Sequence, residues 1–130
     1  MKEVVIDSNV VIRLLVRDSP LQLLQAQNLL KDIEEKRIQG LISILVINEI
    51  IWILEKFYDL KRKSFIPKIL KFLALKNVKI IEAEKILIIG CLKKMEKRNF
   101  DFTDVYLSKI GKKEQIFSFD KDFEKLFNNN

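Results

Sequence analysis

With 130 residues, 48% of them apolar, the chain has material for one compact domain with a sizeable core and little room for two. Lysine and arginine outnumber aspartate and glutamate 24 to 18, a net charge of +6 that suits an anionic partner, nucleic acid first and membrane second, or a solvated lysine-rich surface. Histidine is absent, which excludes Ser-His-Asp and Cys-His catalysis and histidine-ligated zinc, so hydrolytic chemistry would rest on carboxylates, hydroxyls, lysines or a metal.

In chain order, Val4-Val5-Ile6 reads as a first strand, stopped by Asp7-Ser8-Asn9. Val10 to Val16 is helix-compatible. Pro20 then suits a first helical turn, and Leu23, Ala26, Leu30 and Ile33 step at helical spacing toward Arg37. Gly40 to Ile44 reads as a second strand, followed by a helix whose stripe is Val46, Ile50, Ile53 and Phe57. Lys61 to Leu75 is helical, with Pro67 a kink or a start. Val78 to Ile81 is a third strand and Ala83 to Lys97 a helix with Ile88, Leu92 and Met95 on one face. A helix from Asp101 to about Gly111, a fourth strand at Gln115–Ser118 and a terminal helix from Lys121 to Phe127 complete the chain, with Asn128 to Asn130 a frayed end.

Short strands alternating with helices imply a parallel sheet covered on both faces. The expected fold is a three-layer α/β/α domain spanning residues 1–130, with a sheet of four to five strands. The single cysteine, Cys91, lies in an apolar run and is expected to be a buried structural thiol. Apolar runs such as Ile86–Leu92 are too short to cross a bilayer. The N-terminus has no signal-peptide layout, so a soluble cytoplasmic protein is expected.

Ligands of open parallel sheets bind beyond the carboxyl ends of the strands. Asp7 follows the first strand, Glu49 lies early in the helix after the second, and Asp120 stands two residues past the fourth. Asp101 and Asp104 open a helix and share its face at i, i+3. Each has an ordinary role open to it. Asp7, Asp101, Asp120 and Asp122 suit caps or turns, and Asp104 suits a first helical turn. Glu49 stands apart, because it falls beside the apolar stripe and is expected to turn inward, where a lone carboxylate needs a partner or metal. Glu55 points elsewhere and, like Glu34 and Glu35, reads as surface charge. Converging carboxylates repel one another unless a hard divalent cation such as magnesium or manganese binds there. Such a metal acidifies water and stabilises the leaving oxygen of a phosphodiester. Acids plus metal on a basic protein point to phosphodiester hydrolysis.

Four blocks together resemble the PIN-domain family, including its VapC-type toxin ribonucleases. They are Val5-Ile6-Asp7-Ser8-Asn9-Val10-Val11, Ser43 to Glu49, Asp101-Phe102-Thr103-Asp104-Val105-Tyr106-Leu107, and Ser118-Phe119-Asp120-Lys121-Asp122-Phe123. Each block is weak alone, but their order and spacing match over nearly the whole chain. The resemblance implies a Mg2+- or Mn2+-dependent endoribonuclease with Asp7, Glu49, Asp104 and Asp120 as its acidic core, supplemented by Asp101 and Asp122. It also implies that Ser8, Asn9 and Ser118 orient carboxylates or metal waters. Val105 stands where the family usually has alanine. Small members are mostly homodimeric toxins paired with an antitoxin protein, so an RNA substrate, a cognate antitoxin and a second copy are the expected partners. A housekeeping RNA-processing nuclease and a non-catalytic scaffold binding RNA or protein remain open. Two other α/β classes fit poorly: a haloacid-dehalogenase-like phosphatase wants Asp-x-Asp where Asp7-Ser8-Asn9 stands, and a phospho-receiver wants an aspartate after the third strand, where Glu82-Ala83-Glu84 follows.

Overall fold

In the computed structural model, which describes residues 1–128, β1 (Lys2–Val5), β2 (Ile38–Ile42) and β3 (Val78–Ile80) form a parallel sheet in the order β1–β2–β3. Lys2 is in register with Ile38 and Val5 with Leu41, while Gly40 and Ile42 stand beside Val78 and Ile80. Parallel neighbours need crossovers. The first is α1 (Ser8–Val16) and α2 (Pro20–Glu34); the second is α3 (Ile44–Trp52), a π-helical turn (Ile53–Phe57) and α4 (Arg62–Leu73). After β3 come α5 (Lys85–Lys97), α6 (Phe102–Ile110), a 3-10 turn at Lys113–Gln115 and α7 (Asp122–Asn128). Asn128 therefore ends a helix, and the rest of the expected frayed end, Asn129 and Asn130, lies outside the described residues.

Local chemistry sets the helix ends. Pro20 opens α2, where its missing N–H forfeits no helical bond, whereas Pro67 lies inside α4 and does not start it. Ser43 caps α3, its hydroxyl accepting from the Leu45 N–H at 3.1 Å. The same hydroxyl donates to Glu82, whose carboxylate also accepts from the Ile44 N–H at 2.8 Å. Desolvation works against the Glu82 carboxylate, but these donors outweigh it and hold the group below its ordinary range. Left-handed backbone falls to non-glycine residues at Arg17, Lys36 and Asp59, with φ of 63°, 62° and 54°.

One buried cluster joins the strands to the helices through Ile6, Ile42 and Val78, Ile12 of α1, Ile47 and Ile50 of α3, and Phe65 and Leu73 of α4. Gly40 is where β2 meets α2: a Cβ there would stand 2.7 Å from Ile6 Cδ1 and 3.1 Å from Ile33 Cδ1. Cys91 is fully buried and its thiol is pushed up to about 11, chiefly by desolvation. It is the inert structural thiol the sequence suggests.

Two expectations are corrected. The sheet has three strands among the described residues, not four to five, and Gln115–Ser118 is not a strand. Gln115 closes the 3-10 turn, and its side chain accepts from the Lys112 N–H at 2.7 Å. The segment's first two N–H groups are used inside that turn, Gln115 to Lys112 O at 2.9 Å and Ile116 to Lys113 O at 3.4 Å, and side-chain turns follow at once, Asp120 N–H to Ser118 Oγ at 3.0 Å and Asp122 N–H to Asp120 Oδ1 at 2.9 Å. Ile116 and Phe117 alone are too short a run to compete. The second correction concerns the stripe of α3. Its buried members are Ile47, Ile50 and Ile51, continued by Leu54 in the π turn; of the expected set Ile50 is buried, Val46 and Ile53 pack half-buried against the core, and Phe57 is exposed. The π turn, marked by the Tyr58 N–H bonded to Ile53 O at 3.1 Å, adds a residue to the last turn and leaves Phe57 exposed.

Candidate active site

Asp7 leaves the sheet, Asp101 and Asp104 begin α6 and Asp122 begins α7, while Glu49 lies in the second half of α3 and Asp120 in the loop before α7. Asp7 follows β1 and caps α1, its carboxylate accepting from the Ser8 N–H at 2.8 Å. Ser8 is buried, and its hydroxyl donates to the Glu49 carboxylate on α3. Asp7, Ser8 and Glu49 thus form one linked group. Glu49 itself is exposed. The expectation that it turns inward fails because the buried face of α3 centres on Ile47, Ile50 and Ile51, leaving Glu49 at its rim.

Asp104, Asp120 and Asp122 form a second group, in which one carboxylate oxygen from each residue lies within 4.8 Å of the others. Asp104 sits in the first turn of α6 and is half-buried; Asp122 opens α7 and Asp120 stands two residues before it. Asp101 is the N-cap residue of α6, yet its side chain makes no capping hydrogen bond. The buried Phe100 and Phe102 on either side anchor the extended backbone that presents it. The Asp104 carboxyl is held above the ordinary carboxylate range, first by desolvation and then by the charges of Asp120, Asp101 and Asp122. A proton or a cation is therefore welcome there. Asp7 and Glu49 are not part of this three-carboxylate group.

The supporting polar residues divide. Ser118 is exposed and fixes the loop by accepting from the Asp120 N–H. Asn9 lines a hollow between α1 and α2 with Arg13 and Gln22. Val105 is fully buried and packs into the core.

Asp101, Asp104 and Asp122 line a cleft of about 650 Å³ with Glu55 and Arg62. Glu55 is not the surface charge expected of it. It is half-buried and accepts from Arg62 Nε at 2.6 Å, the two side chains being 25% and 13% exposed. Arg62 also donates to Phe100 O at 2.6 Å, tying the start of α4 to the loop that carries Asp101. The only sequence signal for this pair was a seven-residue spacing across a presumed helix break, which shows nothing about burial. Glu34 and Glu35 are on the surface as expected, with Glu35 paired to Arg37.

The donor set of the second group is all carboxylate oxygen, the chemistry that magnesium and manganese prefer and that zinc, a seeker of nitrogen and sulfur, does not. Three acids so close fit a hard divalent cation. The protein-family model of the PIN domain matches residues 4–127. The chain belongs to the PIN-domain family. PIN domains are in general nucleases, and nucleases are hydrolases; the three-stranded parallel sheet and its helices here accord with that fold. No curated protein and no solved structure matches this PIN domain. No helix among its described residues is long and apolar enough to cross a membrane.

Proposed function

We propose that this PIN domain is a Mg2+- or Mn2+-dependent endoribonuclease with Asp7, Glu49, Asp104 and Asp120 as its acidic core and Asp101 and Asp122 as supplements. The observation that carries this reading is the approach of Asp104, Asp120 and Asp122 to within 4.8 Å, an arrangement that is costly without a cation. A divalent cation held there supplies charge to neutralise a phosphodiester in its transition state and acidifies water. The chain's own residues do the rest. Ser8 holds Glu49 in one orientation, Ser118 and Asp120 shape the turn that presents Asp122, and the buried Phe100 and Phe102 fix Asp101. The excess of lysine and arginine attracts RNA to an otherwise acidic site.

Its cellular role is proposed as the toxin of a type II toxin–antitoxin pair, acting in the cytoplasm and held in check by a cognate antitoxin. The support is the resemblance of its four motif blocks to VapC-type ribonucleases. A homodimer is part of the reading, supported by exposed leucines such as Leu21 and Leu24 on α2. The test is direct: pure protein is incubated with structured and unstructured RNAs, with magnesium, manganese or chelator. Internal cleavage that requires the cation is expected. RNA bound but intact under every condition would point to a non-catalytic scaffold instead. Growth arrest on expression, relieved by a co-expressed neighbouring gene, separates a toxin from a housekeeping processor.

A further inference from the structure

Trp52 is 61% exposed, although it is the last residue of a helix with a fully buried apolar face. A single exposed apolar side chain needs no explanation in itself. This one lines the cleft that also holds Asp101, Asp104 and Asp122. Asn48, one helical turn before Trp52 on α3, lines the same cleft, and so does Asn99 from the loop before α6. The lining of the cleft therefore carries two kinds of chemistry. One is anionic. The other pairs an open indole face with two exposed primary amides, each offering both donors and an acceptor.

Phosphate is the wrong group for the second kind. Arg62 is committed to Glu55 and Phe100 O, which leaves Lys56 as the cleft's other cation against Asp101, Asp104 and Asp122. A neutral, flat, hydrogen-bonding ring is the right group. Unpaired nucleobases stack on aromatic side chains and present their edges to amides, whereas a base inside a duplex shows neither face nor Watson–Crick edge. We propose that Trp52 is a stacking platform for one unpaired base of the RNA, with Asn48 and Asn99 at the base's edge. The proposal rests on the ribonuclease reading above and deepens it: Trp52 makes the substrate single-stranded at the bound nucleotide. Trp52 is a positioning residue and takes no part in the chemical step.

Trp52 is the only tryptophan in the chain, so its emission reports this site alone. The unmodified protein in chelator, where no cleavage is expected, is titrated with single-stranded oligoribonucleotide, the same sequence as a duplex, and inorganic polyphosphate. Quenching by the single strand alone is expected. Trp52→Ala should weaken single-strand binding about 5- to 150-fold, the fold-change equivalent to losing one stacked base. Trp52→Phe should recover most of it. In cleavage assays with the cation, Trp52→Ala should raise KM and leave kcat near wild type, a split that a merely structural loss would not produce. Unchanged affinity in a folded Trp52→Ala protein, or equal quenching by polyphosphate, overturns the proposal. So does an emission that shifts to the blue with protein concentration and ignores RNA, which would place Trp52 in a contact between copies. Quenching by single strands without cleavage under any cation would sink the nuclease reading and leave the base site standing. Cleavage with no effect of Trp52→Ala would do the reverse.

Discussion

Ser8 and Glu49 lie 41 residues apart in the chain, on α1 and α3, and are joined by a hydrogen bond from the serine hydroxyl to the glutamate carboxylate. Ser8 is buried while Glu49 is exposed, so the bond satisfies the one and aims the other. Ser8→Ala should destabilise the fold by only about 1 kcal/mol, since the orphaned carboxylate can turn to water. Cleavage should fall about 10- to 100-fold through lost orientation. Glu49→Gln keeps an acceptor for Ser8 but no charge; it should melt like wild type and lose at least roughly 10²-fold in rate. Full activity in a folded Glu49→Gln protein would remove Glu49 from the site.

The raised Asp104 carboxyl ties the site to stability. The folded protein holds this proton more tightly than the unfolded chain does. The group's favourable contribution is thus fully present below the ordinary value of 3.8 and is lost as pH rises through the shifted one. At neutral pH without metal, Asp104→Asn should be at least as stable as wild type, and its advantage should vanish in acid. A cation that binds only the folded state adds about 1.4 kcal/mol at tenfold excess over Kd. Magnesium or manganese should therefore raise the wild-type Tm, less so at low pH where protons compete, and Asp104→Asn should shrink the rise. Thermal melts across pH, with cation and with chelator, read all of this. A wild-type Tm indifferent to divalent cations up to tens of millimolar would end the metal-site reading.

Glu55 and Arg62 make a different prediction, because their pairing is structural. Glu55→Gln leaves the guanidinium of a mostly buried arginine without its counter-charge, at a cost of about 1–2 kcal/mol. Exposed Glu34→Gln should cost nothing measurable. Denaturant unfolding of both variants checks the contrast; equal stabilities would mean that Arg62 relies on Phe100 O alone.

RNA affinity should fall steeply with salt. Each phosphate held by lysine or arginine on a single strand adds about −0.7 to the slope of log K against log salt. Affinity unchanged between low and high salt would detach the +6 charge from RNA binding.

Lys36 holds a φ of 62°, in the region where a Cβ is strained. Lys36→Gly should relieve that strain and raise stability by up to about 1 kcal/mol, less whatever entropy glycine returns to the unfolded chain. A loss of stability would mean that the freedom glycine returns to the unfolded chain outweighs the strain it relieves.

Much of this molecule was legible as pattern. Three parallel strands and the helices between them follow from period and punctuation, because burying one face of a helix or both faces of a strand imposes a spacing that sequence carries directly. The four motif blocks likewise single out acids through their resemblance to PIN domains, and three of these, Asp104, Asp120 and Asp122, do come together in the fold. Tertiary structure decided what depends on where neighbours stand. The segment Gln115–Ser118 has strand-like composition, but the Gln115 and Ile116 N–H groups bond back to Lys112 and Lys113 in a 3-10 turn. The buried face of α3 centres on Ile47, Ile50 and Ile51, a choice made by what packs against it, and that leaves Glu49 at the surface and Trp52 in the cleft. Glu55 looked like solvent charge until Arg62, from the far side of a helix break, folded back onto it. Periodicity is a property of one segment; pairing of charges and competition for hydrogen bonds arise between segments, and only the fold brings those together.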